Sequence, residues 1–250
     1  MAWRRWREHF ENNRLRAVPA IRDDLDIPES WREPLIESLG KFLLGETGEG
    51  RIAHEIDRSS LDGIDDDYRA ALKLFIAEEG RHARVLGQAL KALGGKAPRA
   101  TWSETLFRRS RRAMGVRTKL MVLLSAEIIA LGFYGAIADQ LPASSLREAL
   151  EQILEDERDH QAFHCDFFGT QLRGSRTREA IFLSAWWAVA TSACSVVMVD
   201  HWHTLGTIGA SRPVAALHIL ELIHQTGLRA VEAGRPAAVA LDLEARVVIV

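Results

Sequence analysis

The stretch KLMVLLSAEIIALGFYGAI, residues 119–137, decides how this chain is read. Glu127 is the only charged residue between Lys119 and Asp139. The run is long and has no turn signal, so it predicts a helix, about 118–140, that is apolar on almost every side. A lone ionised carboxylate buried there costs several kcal/mol or more. Glu127 must therefore be protonated, hydrogen-bonded or bound to a cation.

Reading outward, the chain is helical almost everywhere. A first helix is expected from about Pro34, with proline in its first turn, to about Arg58. An acid-rich start predicts a second over about 66–93, which GGKAP stops. A long basic connection with room for one short helix leads to the 118–140 helix. A fourth, capped by Ser144 or Ser145, runs to about Leu172. A fifth is expected over about 177–205 and a sixth over about 213–233, with the tail ALDLEARVVIV left between strand and coil. Helices one to four form two hairpins joined by a long crossover, a known arrangement for four-helix bundles.

Composition bounds the function. The chain has 250 residues, 47% hydrophobic and 26% charged, and a formal charge of -2, which describes a soluble globular protein and predicts no nucleic-acid partner. Cys165 and Cys194 are isolated, so neither a disulfide framework nor a thiolate zinc site is expected. The charged N-terminal segment has no apolar signal region, and a cytoplasmic protein is expected. AIFLSAWWAVATSACSVVMV, residues 180–199, carries no charge and is long enough to cross a bilayer. Its Ala, Ser and Thr content favours a buried bundle helix over membrane association.

Glu127 has companions. Glu157 and His160 are three residues apart, which on a helix puts both on one face, within reach of one metal ion. Glu79 and His82 repeat the spacing in the second helix. So do Glu221 and His224, which shows that one ExxH alone is weak; that pair is read as a salt-bridged helix face. In the first helix Glu46 stands, like Glu127, after a small residue and an apolar run, and is preferred to Glu49 one turn later. The order is Glu, ExxH, Glu, ExxH, one per helix.

This set resembles that of the ferritin-like di-iron carboxylate superfamily. GET at 45–47 and EEGRHA at 78–83 are similar to rubrerythrin-type motifs of the first two helices, and AE at 126–127 and EDERDH at 155–160 to those of the next two. The paired CxxC motifs of a rubredoxin domain are missing. The resemblance implies an all-α, ferritin-like four-helix bundle over 34–172, with an arm at 1–33 and additional helices at 173–250 packing on it. It implies that Glu46 and Glu127 each serve one end of a metal pair, that Glu79 and Glu157 bridge it, and that His82 and His160 give one imidazole to each metal. Four carboxylates and two imidazoles suit two iron ions, or manganese, better than zinc. Asp156 or Asp159 would orient a histidine. Glu78 is expected at the surface and His164 as a satisfied core or surface histidine. His201 and His203 are expected at a helix end, and Tyr68, Tyr134, Trp186 and Trp187 in packing.

Two ferrous ions side by side can give two electrons to one dioxygen, so the expected activity is an oxidoreductase of the oxidase or oxygenase kind. It would take O2 as co-substrate, a small organic molecule as substrate and an external electron donor. The arginine-rich run from Phe107 to Arg117 is a solvated loop, or a docking patch for an acidic donor. A homodimer is expected. The alternatives are a ferroxidase or peroxide-scavenging protein, and a non-enzymatic bundle.

Overall fold

The computed structural model describes residues 2–22, 25–47, 50–112 and 114–235. Among them every regular element is a helix, in the order α1 (Ala2–Asn13), α2 (Glu29–Glu46), α3 (Gly50–Asp57), α4 (Asp66–Ala92), α5 (Trp102–Arg112), α6 (Val116–Gln140), α7 (Ser145–Leu172), α8 (Arg176–Asp200), α9 (Trp202–Thr207) and α10 (Arg212–Ala233). Glu49 and the tail from residue 236 lie outside the described residues.

Local chemistry sets the helix ends that frame the bundle. The Asp65 carboxylate accepts from Tyr68 N at 2.8 Å, and Asp66 and Asp67 follow in the first turn of α4, where the dipole favours them. Gly94, at φ +83, ends that helix, and Gly95 N returns to Leu90 O at 2.8 Å. Ser144 caps α7 by accepting from Arg147 N at 3.3 Å.

α2 and α3 pack along α4, α6 pairs with α7, and α4 lies against α7; α5 makes the crossover. This is the all-α bundle expected, and three of its details differ from the sequence reading. The first expected helix is two: α2 begins at Glu29, ahead of Pro34, and stops at Glu46, before α3 starts at Gly50. Pro34 forfeits a single hydrogen bond near the helix start. Gly45, Gly48 and Gly50, three glycines in six residues, weaken the helix where it breaks. The fifth expected helix also divides, at His201, into α8 and α9.

The third difference is α1. Trp3, Trp6 and Phe10 fall on one helical face and are all buried. They join Tyr68, Phe75 and Phe163 of α4 and α7 in edge-on and tilted pairs with centroids 4.8 to 6.4 Å apart. The spacing was visible in the sequence, but three arginines in the same helix obscured it.

α10 closes the bundle by lying across α6, α7 and α8. Gly132 and Gly169 permit this approach: a Cβ on Gly132 would meet the Ile219 side chain at 2.5 Å, and one on Gly169 the Ala233 backbone at 2.7 Å. α6 and α8 are both long and apolar enough to cross a membrane, yet 72% of the apolar window of α6 is buried and only 39% of that of α8. The expectation of a buried α8 thus holds for one face, with Phe182, Trp186, Ala190 and Val197 inside and Ile181 and Val199 outside. On the outer side Ser184, Thr191, Ser192 and Ser195 each donate to the carbonyl four residues back, so these hydroxyls fit a helix without further partners.

Candidate metal centre

The donor atoms of Glu79, His82, Glu157 and His160 lie within 4.8 Å of one another, and all four residues are buried. α4 and α7 carry them, and the three-residue spacing turns each Glu and its His to the same side. Glu127 reaches in from α6, its Oε2 lying 3.5 Å from His160 Nδ1. Glu46, in the last turn of α2, accepts a hydrogen bond from Tyr134 at 2.8 Å. The six candidate residues are thus brought to one place.

Both imidazoles present Nδ1 to the cluster and Nε2 to an outer carboxylate. His82 Nδ1 lies 3.2 Å from Glu157 Oε1, and its Nε2 is 3.2 Å from Asp156. His160 Nδ1 lies 2.8 Å from Glu79 Oε1, and its Nε2 is 3.1 Å from Glu78. Each outer carboxylate comes from the other helix's motif. Arg81 joins the two, with Nη2 at 2.5 Å from Glu78 and 3.1 Å from Asp156, while its Nη1 donates to Asn13 O at the end of α1. Arg16 adds a bond to Asp156 at 2.6 Å.

Glu78 is therefore not a surface residue. It is 5% exposed and orients a candidate ligand. A clue lay in Arg81 three residues on, because an Arg on the inner face of a helix needs a buried acid. Asp156 has the orienting role, whereas Asp159 pairs with His9 at 3.2 Å and is partly exposed.

Four carboxylates and two imidazoles in a dry site carry large electrostatic strain. Burial, then the charges of Glu79 and Glu157, push Glu46 well above the usual carboxylate range. Burial and Glu157 do the same to Glu127. Burial also opposes ionisation of Glu157, but its interactions with Glu127 and His160 and the nearby His82 charge outweigh it and hold that carboxyl low. His82 is raised to about 9, because its hydrogen bond with Asp156 and the charges of the nearby Glu157 and Glu79 exceed the cost of burying a cation.

Two inner atoms, Glu79 Oε1 and His82 Nδ1, have no hydrogen-bond partner although both are buried. The close approach of His160 Nδ1 to Glu79 Oε1 is likewise not a hydrogen bond, since its geometry leaves that oxygen unpartnered. Lone pairs that converge without bonding one another are what ligands of a shared cation look like. The donor set fits a pair of hard to borderline metal ions such as iron and manganese.

His164 adds an oddity. It is fully buried, and neither ring nitrogen has a partner; Nε2 is 3.9 Å from Glu127 Oε1. Burial, aided by the His160 charge, drops it to about 3, so the ring is neutral. It is a core histidine as expected, but not a satisfied one. Tyr134 differs from its expectation too, since besides packing it bonds Glu46. Glu221 and His224 lie on the exposed face of α10, where Glu221 takes Gln225 at 2.6 Å.

Beside the carboxylates a cavity of about 130 Å³ opens between α2, α5, α6 and α8. Glu46, Glu79, Glu127 and Glu157 form part of its lining, together with Phe42, Phe107, Leu123, Ile129, Ala193 and Val197. The α5 helix, the short helix expected within the basic connection, turns Phe107 and Ser103 toward it.

No family model matches this sequence, and a search of curated proteins found no significant match. Among solved structures the chain is similar to an R2-like ligand-binding oxidase with an aerobically reconstituted Mn/Fe cofactor, at a TM-score of 0.66 over 91% of this chain and 92% of that one. The chain has a ferritin-like, R2-type helical fold. Sequence identity across the match is only 10%, so the likeness speaks to the fold. The buried Glu/His cluster is suited to a pair of metal ions on its own geometry.

Proposed function

We propose that the chain is an oxidase or oxygenase whose centre holds two iron ions, or one manganese and one iron. Glu46, Glu79, His82, Glu127, Glu157 and His160 would hold the pair. Bound in the reduced state, such a pair supplies electrons to dioxygen. The protein supplies the rest. Asp156 and Glu78 fix both imidazoles with Nδ1 inward, Arg81 holds the two carboxylates in register, and Tyr134 orients Glu46.

The observation that carries an organic substrate, rather than iron storage, is the cavity. A path for ferrous ions calls for polar walls, whereas this one is lined mainly by Phe, Leu, Ile, Val and Ala side chains up to the carboxylates. Its volume is close to that of an engineered apolar cavity, on the order of 150 Å³, that takes up benzene. The reductant is external to the chain.

The test is metal content of the purified protein, followed by oxygen uptake after ferrous loading with and without small apolar compounds. About two metals per chain and compound-dependent uptake support the reading. Uptake that consumes ferrous ion alone, with no response to any compound, points to the ferroxidase instead. Absence of bound metal after anaerobic reconstitution removes both.

A further inference from the structure

Besides the four cluster carboxylates, the cavity wall carries Lys41, Ser103, Glu104 and His201. His201 ends α8, is 4% exposed and lines the cavity. Its ring rests between Phe42 and Phe133, with centroids 4.6 and 5.2 Å away. Its Nδ1 is hydrogen-bonded to the Ser38 hydroxyl.

Ser38 fixes the tautomer. The hydroxyls of Ser125, Ser184 and Thr191, also mid-helix, donate to the carbonyl four residues back. Ser38 makes no such bond; the Pro34 carbonyl accepts from Thr204 instead, at 3.0 Å. The Ser38 proton therefore goes to Nδ1, and the ring proton sits on Nε2. Among the described residues the ring's one hydrogen bond is the one at Nδ1, and the residue lines the cavity.

The surroundings exclude an ionic ligand group at this point. Burial and the nearby Lys41 charge lower His201 to about 3, so the ring is neutral. The Lys41 ammonium is already taken by Glu37 at 2.7 Å and Asp200 at 2.9 Å. Glu104 faces Arg108 at 3.6 Å.

We propose that His201 Nε2–H is the recognition point of the cavity, and that its ligand is a small apolar molecule with one uncharged hydrogen-bond acceptor, such as a ketone or ether. His201 holds the acceptor, and the apolar remainder fills the cavity toward the carboxylates. This rests on the cavity being the substrate site.

The experiment compares two probes of nearly the same shape, acetophenone and α-methylstyrene, binding to the metal-loaded full chain without oxygen. In His201→Phe the ring stacking is kept and the N–H is lost. The ratio of the two affinities should shift toward the hydrocarbon by roughly fivefold, the size of one net neutral hydrogen bond. His201→Gln, which keeps an N–H, should hold most of the wild-type ratio. Metal content should not change in either variant, while melting should fall by a few degrees in His201→Phe, which leaves the buried Ser38 hydroxyl without its partner. A ratio that stays the same in His201→Phe overturns the role of His201 and leaves the cavity reading intact. If neither probe binds the wild-type chain, the cavity reading fails and the inference with it.

Discussion

At one end of the candidate centre Glu46 accepts a hydrogen bond from Tyr134 and borders the cavity. At the other, Glu127 faces His164, a buried imidazole with no partner on either nitrogen. Between them α4 and α7 repeat one design, ExxH with an outer carboxylate supplied by the opposite helix. The shared part sets the chemistry that any metal pair here would have. In the proposed centre the unlike ends would make the two positions inequivalent: one has a protein hydrogen bond and the other an unsatisfied polar ring.

The largest expected effect tests the shared part. Glu157→Ala should lose most bound metal and all oxygen uptake, measured by metal analysis and an oxygen electrode. Full metal loading and turnover in that variant would mean the centre is elsewhere. Next come the outer carboxylates. Asp156→Asn and Glu78→Gln should each weaken metal binding by roughly 10- to 100-fold, and to a similar degree if the repeat is real. A titration in which only one of them matters would break the symmetry of α4 and α7.

Two changes address the ends. Tyr134→Phe removes the bond to Glu46 and nothing else on the centre, so affinity should fall by roughly 10-fold, at the lower end of that range, for one metal only. Equal weakening of both metals in anaerobic titration would count against separate ends. His164→Phe should stabilise the metal-free chain, because it removes two unsatisfied buried nitrogens at about 1 kcal/mol or more each. The melting temperature should rise by about 4–8 °C, and a fall would show that the ring has a partner in solution.

pH sharpens the same picture without mutation. His82, raised from 6.5 to about 9, stabilises the metal-free fold in full below pH 6.5 and loses that contribution as pH climbs through 9. Glu46 and Glu127, raised above 4.5, act in the same direction. The metal-free chain should therefore grow less stable to urea from pH 6.5 to 9, while metal binding, which displaces these protons, should tighten. Stability that rises across that window would refute the charge assignment.

The deeper lesson concerns how far one residue's neighbours can be read along the chain. The bundle was legible because helical period, caps and turn glycines are local, as at Asp65, Ser144 and Gly94. The six candidate ligands were legible because ExxH is a same-face spacing and because a charge at Glu127 has no apolar explanation. Glu78 was misplaced because its partner His160 comes from α7 and is known only once α4 lies on that helix. The break after Glu46 was missed because the apolar pattern outweighed three glycines.

By itself, then, the sequence determined the helices, their order and the inward acids, since these follow from spacing and from the cost of burying charge. Only the tertiary structure decided which nitrogen of each histidine faces the cluster, which carboxylate orients it, and that an apolar cavity with His201 in its wall adjoins it. Those depend on distances between residues far apart in the chain, and no local pattern encodes a distance.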